Sequence, residues 1–167
     1  YVVLFRSGES KVRGIEARRS DTPPFIRRAQ MEMLRVLSAA RNRREYEALL
    51  PKVLEIFEGY RERLRSGRIP FTELAISKSI SQSPEQYQKE SVTAIVAKEL
   101  VGRGVHLSPG QSIAYVITDH KARVKSDRAR ALGFIDGTWG YDLEKYEDLL
   151  DQATRVFLLE GHGSKAT

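Results

Sequence analysis

Apolar positions change their spacing several times along the chain, and each change marks an element. Residues 1–6, YVVLFR, and 11–17, KVRGIEA, have the extended pattern of two strands, joined by a turn at Ser7-Gly8-Glu9-Ser10. SDTPP then breaks the pattern, and Pro23-Pro24 is well placed to open a helix. Ile26, Ala29 or Gln30, Met33, Leu37 and Ala40 recur at helical spacing to about residue 40, with Arg27, Arg28 and Arg35 on or beside the outer face. A second stripe, Tyr46, Leu49, Leu50, Val53, Phe57, Tyr60 and Leu64, predicts a helix to about Arg65 that begins near Pro51 or kinks there. Ser66-Gly67 ends it.

The middle of the chain is less regular. FTELAISKSISQ at 71–82 reads as a strand passing into a loop. A third helix is predicted over roughly 85–102, with Val92, Ile95, Val96 and Leu100 facing in and Gly102-Arg103-Gly104 stopping it. Pro109-Gly110 then turns the chain into a strand at 112–118, and 119–140 reads as a basic, irregular stretch around Trp139. The last helix has Asp142 as its cap and Leu143, Tyr146, Leu149, Leu150, Ala153, Val156 and Phe157 as its core face, before a loose tail at 161–167. The sum is an α+β chain, mostly helical, with an N-terminal β-hairpin and a short mid-chain strand.

Composition narrows the chemistry. With 167 residues, 41% hydrophobic and 30% charged, the chain has the length and balance of one globular domain. The absence of cysteine excludes a disulfide scaffold and thiolate metal sites. No apolar run approaches the roughly 20 residues of a membrane span, and no signal-peptide pattern opens the chain, so the expected compartment is the cytoplasm. The first residue is Tyr1 rather than methionine, which reads as a longer chain cut or processed.

Charge adds a partner class. The net charge is +6 and arginine outnumbers lysine about two to one, a bias that suits bidentate contacts to phosphate. Basic residues gather in 1–30 and again in 121–130, where Lys121, Arg123, Lys125, Arg128 and Arg130 face Asp127 alone. Acidic residues gather at Asp142, Glu144, Glu147, Asp148 and Asp151. Such segregation suggests a binding face for a polyanion; a surface laced with ion pairs is the alternative.

Self-contained catalysis finds no support. His106, His120 and His162 lack the i, i+4 spacing of a zinc helix and read as surface residues. The acidic group falls mainly on the polar side of an amphipathic helix, where charges are ordinarily solvated. GHGSKAT lacks the glycine spacing of a phosphate loop, and Trp139 reads as a packed anchor rather than a base-stacking platform.

The segment YVVLFRSGESKVRGIEARRSD resembles a stretch of the B-family DNA polymerases, the archaeal replicative kind especially. In that family a Lys-x-Tyr motif at the end of the palm is followed by a hairpin and a Gly-Leu-Glu-x-x-Arg-Arg-Asp stretch that leads into the thumb. Tyr1 falls where that tyrosine would, followed by Gly14-Ile15-Glu16-Ala17-Arg18-Arg19-Ser20-Asp21, with one residue inserted before Asp21. Ser77, Lys78, Ile80 and Tyr87 match a thumb segment; Val92, Ala97, Arg103-Gly104, Pro109-Gly110 and Ile113-Ala114-Tyr115 follow in the family's order. SDRARAL and YDLEKY resemble its Asp-Arg-Ala and Tyr-Asp-x-x-Tyr stretches, while Ser91 stands where the family has histidine.

The resemblance implies a palm-end hairpin at 1–21, a thumb at 22–160 and a flexible tail at 161–167. It implies primer–template DNA as the partner, gripped by Tyr1, Arg13, Arg18, Arg19, Ser77, Lys78 and Tyr87. The family's catalytic aspartates belong to palm motifs that this sequence lacks. The expectation is therefore a fragment or small subunit, inactive alone, completed by a palm- and fingers-bearing chain that would supply the Mg²⁺ chemistry. No cofactor is expected in this chain itself, and the family's sliding-clamp motif is not recognisable in 155–167. A stand-alone nucleic-acid-binding module and a protein-interaction scaffold remain as alternatives.

Overall fold

The computed structural model describes residues 2–3, 11–12, 22–87 and 91–163; for the first two pairs and for 159–163 it describes the backbone alone. Two short strands, β1 (Val2–Val3) and β2 (Lys11–Val12), pair antiparallel with Val2 opposite Val12 and Val3 opposite Lys11. This is the pairing that the expected hairpin requires. Its turn and the residues that follow lie outside the described part.

Three long helices make the larger layer. Helix α1 (Pro24–Leu37) starts on the proline pair, whose fixed φ suits a first turn and whose missing N–H would be unbonded there anyway. It buries Phe25, Ile26, Ala29, Gln30, Met33, Leu34 and Leu37. It stops short of residue 40, where the Ser38 hydroxyl turns back to the Arg35 carbonyl at 2.7 Å. Helix α2 (Arg43–Arg65) is capped by Asn42, whose Oδ1 accepts from the Glu45 amide at 3.0 Å. Pro51 lies inside this helix without starting it. Its exposed position lets water reach the carbonyl that its missing N–H leaves unpaired.

Helix α3 (Phe71–Leu74) is a single turn, and strand β3 (Ile76–Ser79) follows it at once. The expected order of strand then loop is therefore corrected to helical turn then strand. Pro70 precedes the turn as its N-cap and its carbonyl accepts from the Glu73 amide at 2.9 Å, a local feature that alternation does not register. Helix α4 (Val92–Gly102) is shorter than predicted because Ser91 caps it, accepting from the Ala94 amide at 3.2 Å, while Pro84–Gln86 forms a separate 3₁₀ turn. Its buried residues are Ala94, Val96 and Ala97, and Ile95 is only half-buried.

Strand β4 (Ser112–Ile117) forms the centre of an antiparallel sheet in the order β3-β4-β5, where β5 is Ala129–Ala131. Ile76 pairs with Tyr115, which pairs in turn with Ala131. β5 falls in the stretch expected to be irregular. Three residues are too few for their alternation to register, and pairing with β4 is what makes them a strand.

Helix α5 (Leu143–Gly163) buries Tyr146, Leu150, Ala153 and Phe157, and runs past the expected start of the tail at 161. Leu143 is 37% exposed rather than part of the core face, because it precedes the first full turn. α5 lies antiparallel to α2. The Tyr46 hydroxyl donates to the Phe157 carbonyl at 2.7 Å at one end, and Arg65 meets Glu147 at 2.6 Å at the other. Between them α1 contributes Phe25, edge-on to Tyr60 at 5.0 Å, and Gln30, which donates to the Ala153 carbonyl at 3.2 Å.

Helices and sheet meet at Tyr146. Its fully buried hydroxyl accepts from the Ile117 amide at 3.0 Å and donates to the Leu74 carbonyl at 2.8 Å. Among the described residues no helix is long and apolar enough to cross a membrane. Replacing Tyr146 with Phe strands a buried amide and a buried carbonyl, and is expected to cost about 1–3 kcal/mol in a urea unfolding titration. An unchanged midpoint would show that the two groups find other partners.

Candidate nucleic-acid interface

Of the residues expected to touch DNA, Tyr1, Arg13, Arg18 and Arg19 lie outside the described part. Ser77 and Lys78 sit side by side on β3, and their side chains leave opposite faces of the sheet. Lys78 shares its face with Ile76, Ile113 and Tyr115. On that side it borders a cavity of about 390 Å³ walled by Ile26, Ile76, Ile117 and Leu149, to which Lys145 brings a second positive charge.

Ser77 shares the other face with Ser79, Ser112 and Ala114. The Ser79 and Ser112 hydroxyls are 3.3 Å apart on an exposed lip at one end of the sheet. Sequence reasoning missed these two, although the alternation of Ser77, Ser79 and Ser81 signals a row of small hydroxyls. Short neutral donors allow a close approach to a sugar–phosphate backbone without selecting a base. Tyr87 is not on this lip. It is half-buried against the core, and its hydroxyl accepts from the Ser81 amide at 3.2 Å, which fixes the loop after β3.

The arginine pair of α1 is structural. Arg27 donates to the Thr22 carbonyl at 3.2 Å, and Arg28 pairs with Glu73 of α3 at 2.6 Å. The acidic row of α5 is likewise engaged: Glu147 with Arg65, Glu144 with Lys121 at 2.9 Å, Asp151 with Arg155 at 2.8 Å, and Asp148 with the Gln152 amide at 2.8 Å. Among the described residues no group of three or more His, Asp or Glu side chains could hold a metal ion. They supply no donor set for Mg²⁺.

The loop joining β4 to β5 is tightly built. The Thr118 hydroxyl donates to the Asp127 carbonyl at 2.6 Å, the Arg128 guanidinium to the Ala122 carbonyl at 2.8 Å, and the Lys121 amide to the Asp119 carboxylate at 3.1 Å. Asp142 clips this loop to α5. One carboxylate oxygen accepts from the His120 amide at 2.7 Å and meets the His120 ring, and the other caps the helix by accepting from the Lys145 amide at 2.9 Å. Arg130 reaches Glu99 of α4 at 3.4 Å and lays its guanidinium 4.0 Å over the Trp139 ring, so Trp139 does act as an anchor.

Burial alone would raise the Asp142 carboxyl's pKa, but hydrogen bonds from the His120 amide and ring and from the Lys145 amide outweigh it and leave the group below the usual aspartate value. Lys121 is raised by its hydrogen bond and attraction to Glu144.

Residues 2–156 match the family model described as DNA polymerase family B, and the chain belongs to that family. Its relatives include a DNA polymerase of Thermococcus kodakarensis, 30% identical over 147 residues, which cover 87% of this chain and 8% of that protein. DNA polymerase 1 of Aeropyrum pernix is 26% identical over 137 residues, covering 81% of this chain and 14% of that protein. The fold resembles the structure of the family B DNA polymerase from the hyperthermophilic archaeon Pyrobaculum calidifontis, with a TM-score of 0.69 at 22% identity over 92% of this chain and 19% of that one. The chain thus spans less than a fifth of the length of each.

Replacing Asp142 with Ala removes a helix cap and the clip, and is expected to cost about 1–2 kcal/mol at neutral pH. The depressed carboxyl contributes stability above its unfolded value of about 3.9, and this is lost as pH falls through the lower folded value. Unfolding titrations should therefore show the gap between parent and variant closing in acid. A gap independent of pH would contradict the assignment.

Proposed function

We propose that this chain is the DNA-gripping thumb of a family B DNA-directed DNA polymerase, preceded by the last palm hairpin, and present as a fragment or small subunit. The observation that carries this reading is the family match over residues 2–156, nearly the whole of a chain that spans under a fifth of its relatives. The net charge of +6 supports a nucleic-acid partner.

On this reading the sheet lip, with Ser77, Ser79 and Ser112, lies along the backbone of the primer–template duplex, and Lys78 adds a charge beside it. Tyr1, Arg13, Arg18 and Arg19 supply the remaining grip, through phosphates and through minor-groove acceptors common to all base pairs. Such contacts hold a duplex in place without reading it, as a polymerase requires. The chemistry of nucleotidyl transfer, with its Mg²⁺ ions, belongs to the palm- and fingers-bearing portion, and the thumb alone does not extend a primer.

A binding titration against primer–template duplex, single-stranded DNA and RNA across a salt series tests this. The expected result is preference for the duplex, with a salt slope shallower by about one in each of Arg18→Ala, Arg19→Ala and Lys78→Ala. Equal affinity for all three ligands would favour a general nucleic-acid-binding module. No binding, or slopes that none of these variants changes, would assign the basic residues to the fold or to a protein interface.

A further inference from the structure

The cavity on the Lys78 side of the sheet is bounded from several directions. Ile26 of α1, Ile76 of β3, Tyr115 and Ile117 of β4, and Leu149 of α5 meet around its space of about 390 Å³. At roughly 30 Å³ per water this is room for about a dozen water-sized groups, within the ~300–1,000 Å³ range of small-ligand pockets. Its walls are already set. Ile26, Ile76, Tyr115 and Ile117 are each at most 8% exposed. The Tyr115 hydroxyl is bonded to that of Thr93 at 3.2 Å, and the Ile117 amide is held by Tyr146.

Helix α5 adds a charge to this apolar setting. Lys145, Leu149 and Gln152 follow at i, i+4 and i+7, so one stripe of the helix borders the cavity, while Tyr146, Leu150 and Ala153 beside it are buried in the core. Lys145 is half-buried. Asp142 takes its backbone amide, but among the described residues its ammonium has no ion pair. The acids near it on α5 are engaged elsewhere: Asp142 with His120, Glu144 with Lys121, and Asp148 with Gln152. No Asp or Glu stands in the described lining.

We propose that this cavity binds a free small carboxylic acid with an apolar body, its carboxylate held by Lys145 and its body lying against Ile26, Ile117 and Leu149. Charge complementarity selects the class. A half-buried ammonium without a counter-charge gains most from an anion, and walls of this kind reward an apolar body. Walls drawn from α1, the sheet and α5 make a concave site, which suits a small molecule rather than a protein face. Such a site is independent of the thumb reading, in which Lys145 has no part.

The test titrates the whole chain with 4-phenylbutyrate and with its neutral isostere 4-phenylbutyramide, following backbone amides by two-dimensional NMR. The expected result is saturable shifts at Ile26, Ile117 and Leu149, with the carboxylate bound about tenfold more tightly than the amide. Lys145→Met should abolish that advantage and Lys145→Arg should keep it. Lys121→Met, which removes a cation already engaged by Glu144, should leave it unchanged. Val92→Phe, narrowing the cavity from α4, should weaken both ligands in parallel. Equal binding of the two ligands, or an advantage that Lys145→Met leaves intact, would overturn the site. So would shifts scattered over exposed cations, or none that saturates. Duplex binding is a separate readout, so loss of this site leaves the thumb reading standing.

Discussion

The arrangement turns on one buried hydroxyl. Tyr146 bonds simultaneously to the end of β4 and to the end of α3, and it sits on the first turn of the helix that packs against α1 and α2. A hydroxyl can donate once and accept, and here both capacities are used, so burial leaves nothing unsatisfied. The Asp142 amide adds a bond to the Ile117 carbonyl at 2.9 Å, so two consecutive backbone groups of the β4 terminus are held by the start of α5. Burial also raises the Tyr146 pKa, so the group remains a neutral donor at any ordinary pH.

From that joint the placement of charge follows. Because α5 begins where β4 ends, its acidic first turns stand next to the loop leaving β4, and Asp142, Glu144 and Lys121 come within reach of one another. The acidic group that looked in the sequence like a separate region is thus a counter-surface. It holds His120 and Lys121 on one side and Arg65 on the other. Segregation along the chain became neutralisation in space for part of the charge, and left exposed only certain positions, such as Arg123.

What was legible in the sequence is what depends on local spacing. α1, α2 and α5 were evident because their stripes bury residues four and seven apart, and β4 because an apolar run follows a Pro-Gly turn. What was not legible depends on partners. Ala129–Ala131 is a strand only because β4 offers it an edge, and α3 exists because Pro70 and the packing of Leu74 favour a turn. Arg27 and Arg28 match the composition of a phosphate-binding surface, yet a carbonyl and a carboxylate from neighbouring segments engage them. Of the proposed site, Ser77 and Lys78 were legible through the family resemblance. Ser79 and Ser112 were not, because pairing across strands 33 residues apart brings them together.

The packing of α5, antiparallel to α2 and parallel to α1, has a consequence for how the chain acquires its shape as it is made. Gln30 reaches Ala153 across 123 residues, and Tyr46 reaches Phe157 across 111. The apolar stripes of the first two long helices therefore emerge from the ribosome long before the helix that covers them. Local helix formation is fast, but closing these contacts must wait for α5. During that interval the Gln30 amide and the Tyr46 hydroxyl, whose acceptors lie on α5, are left to water, and the helix surfaces that α5 will cover stay open.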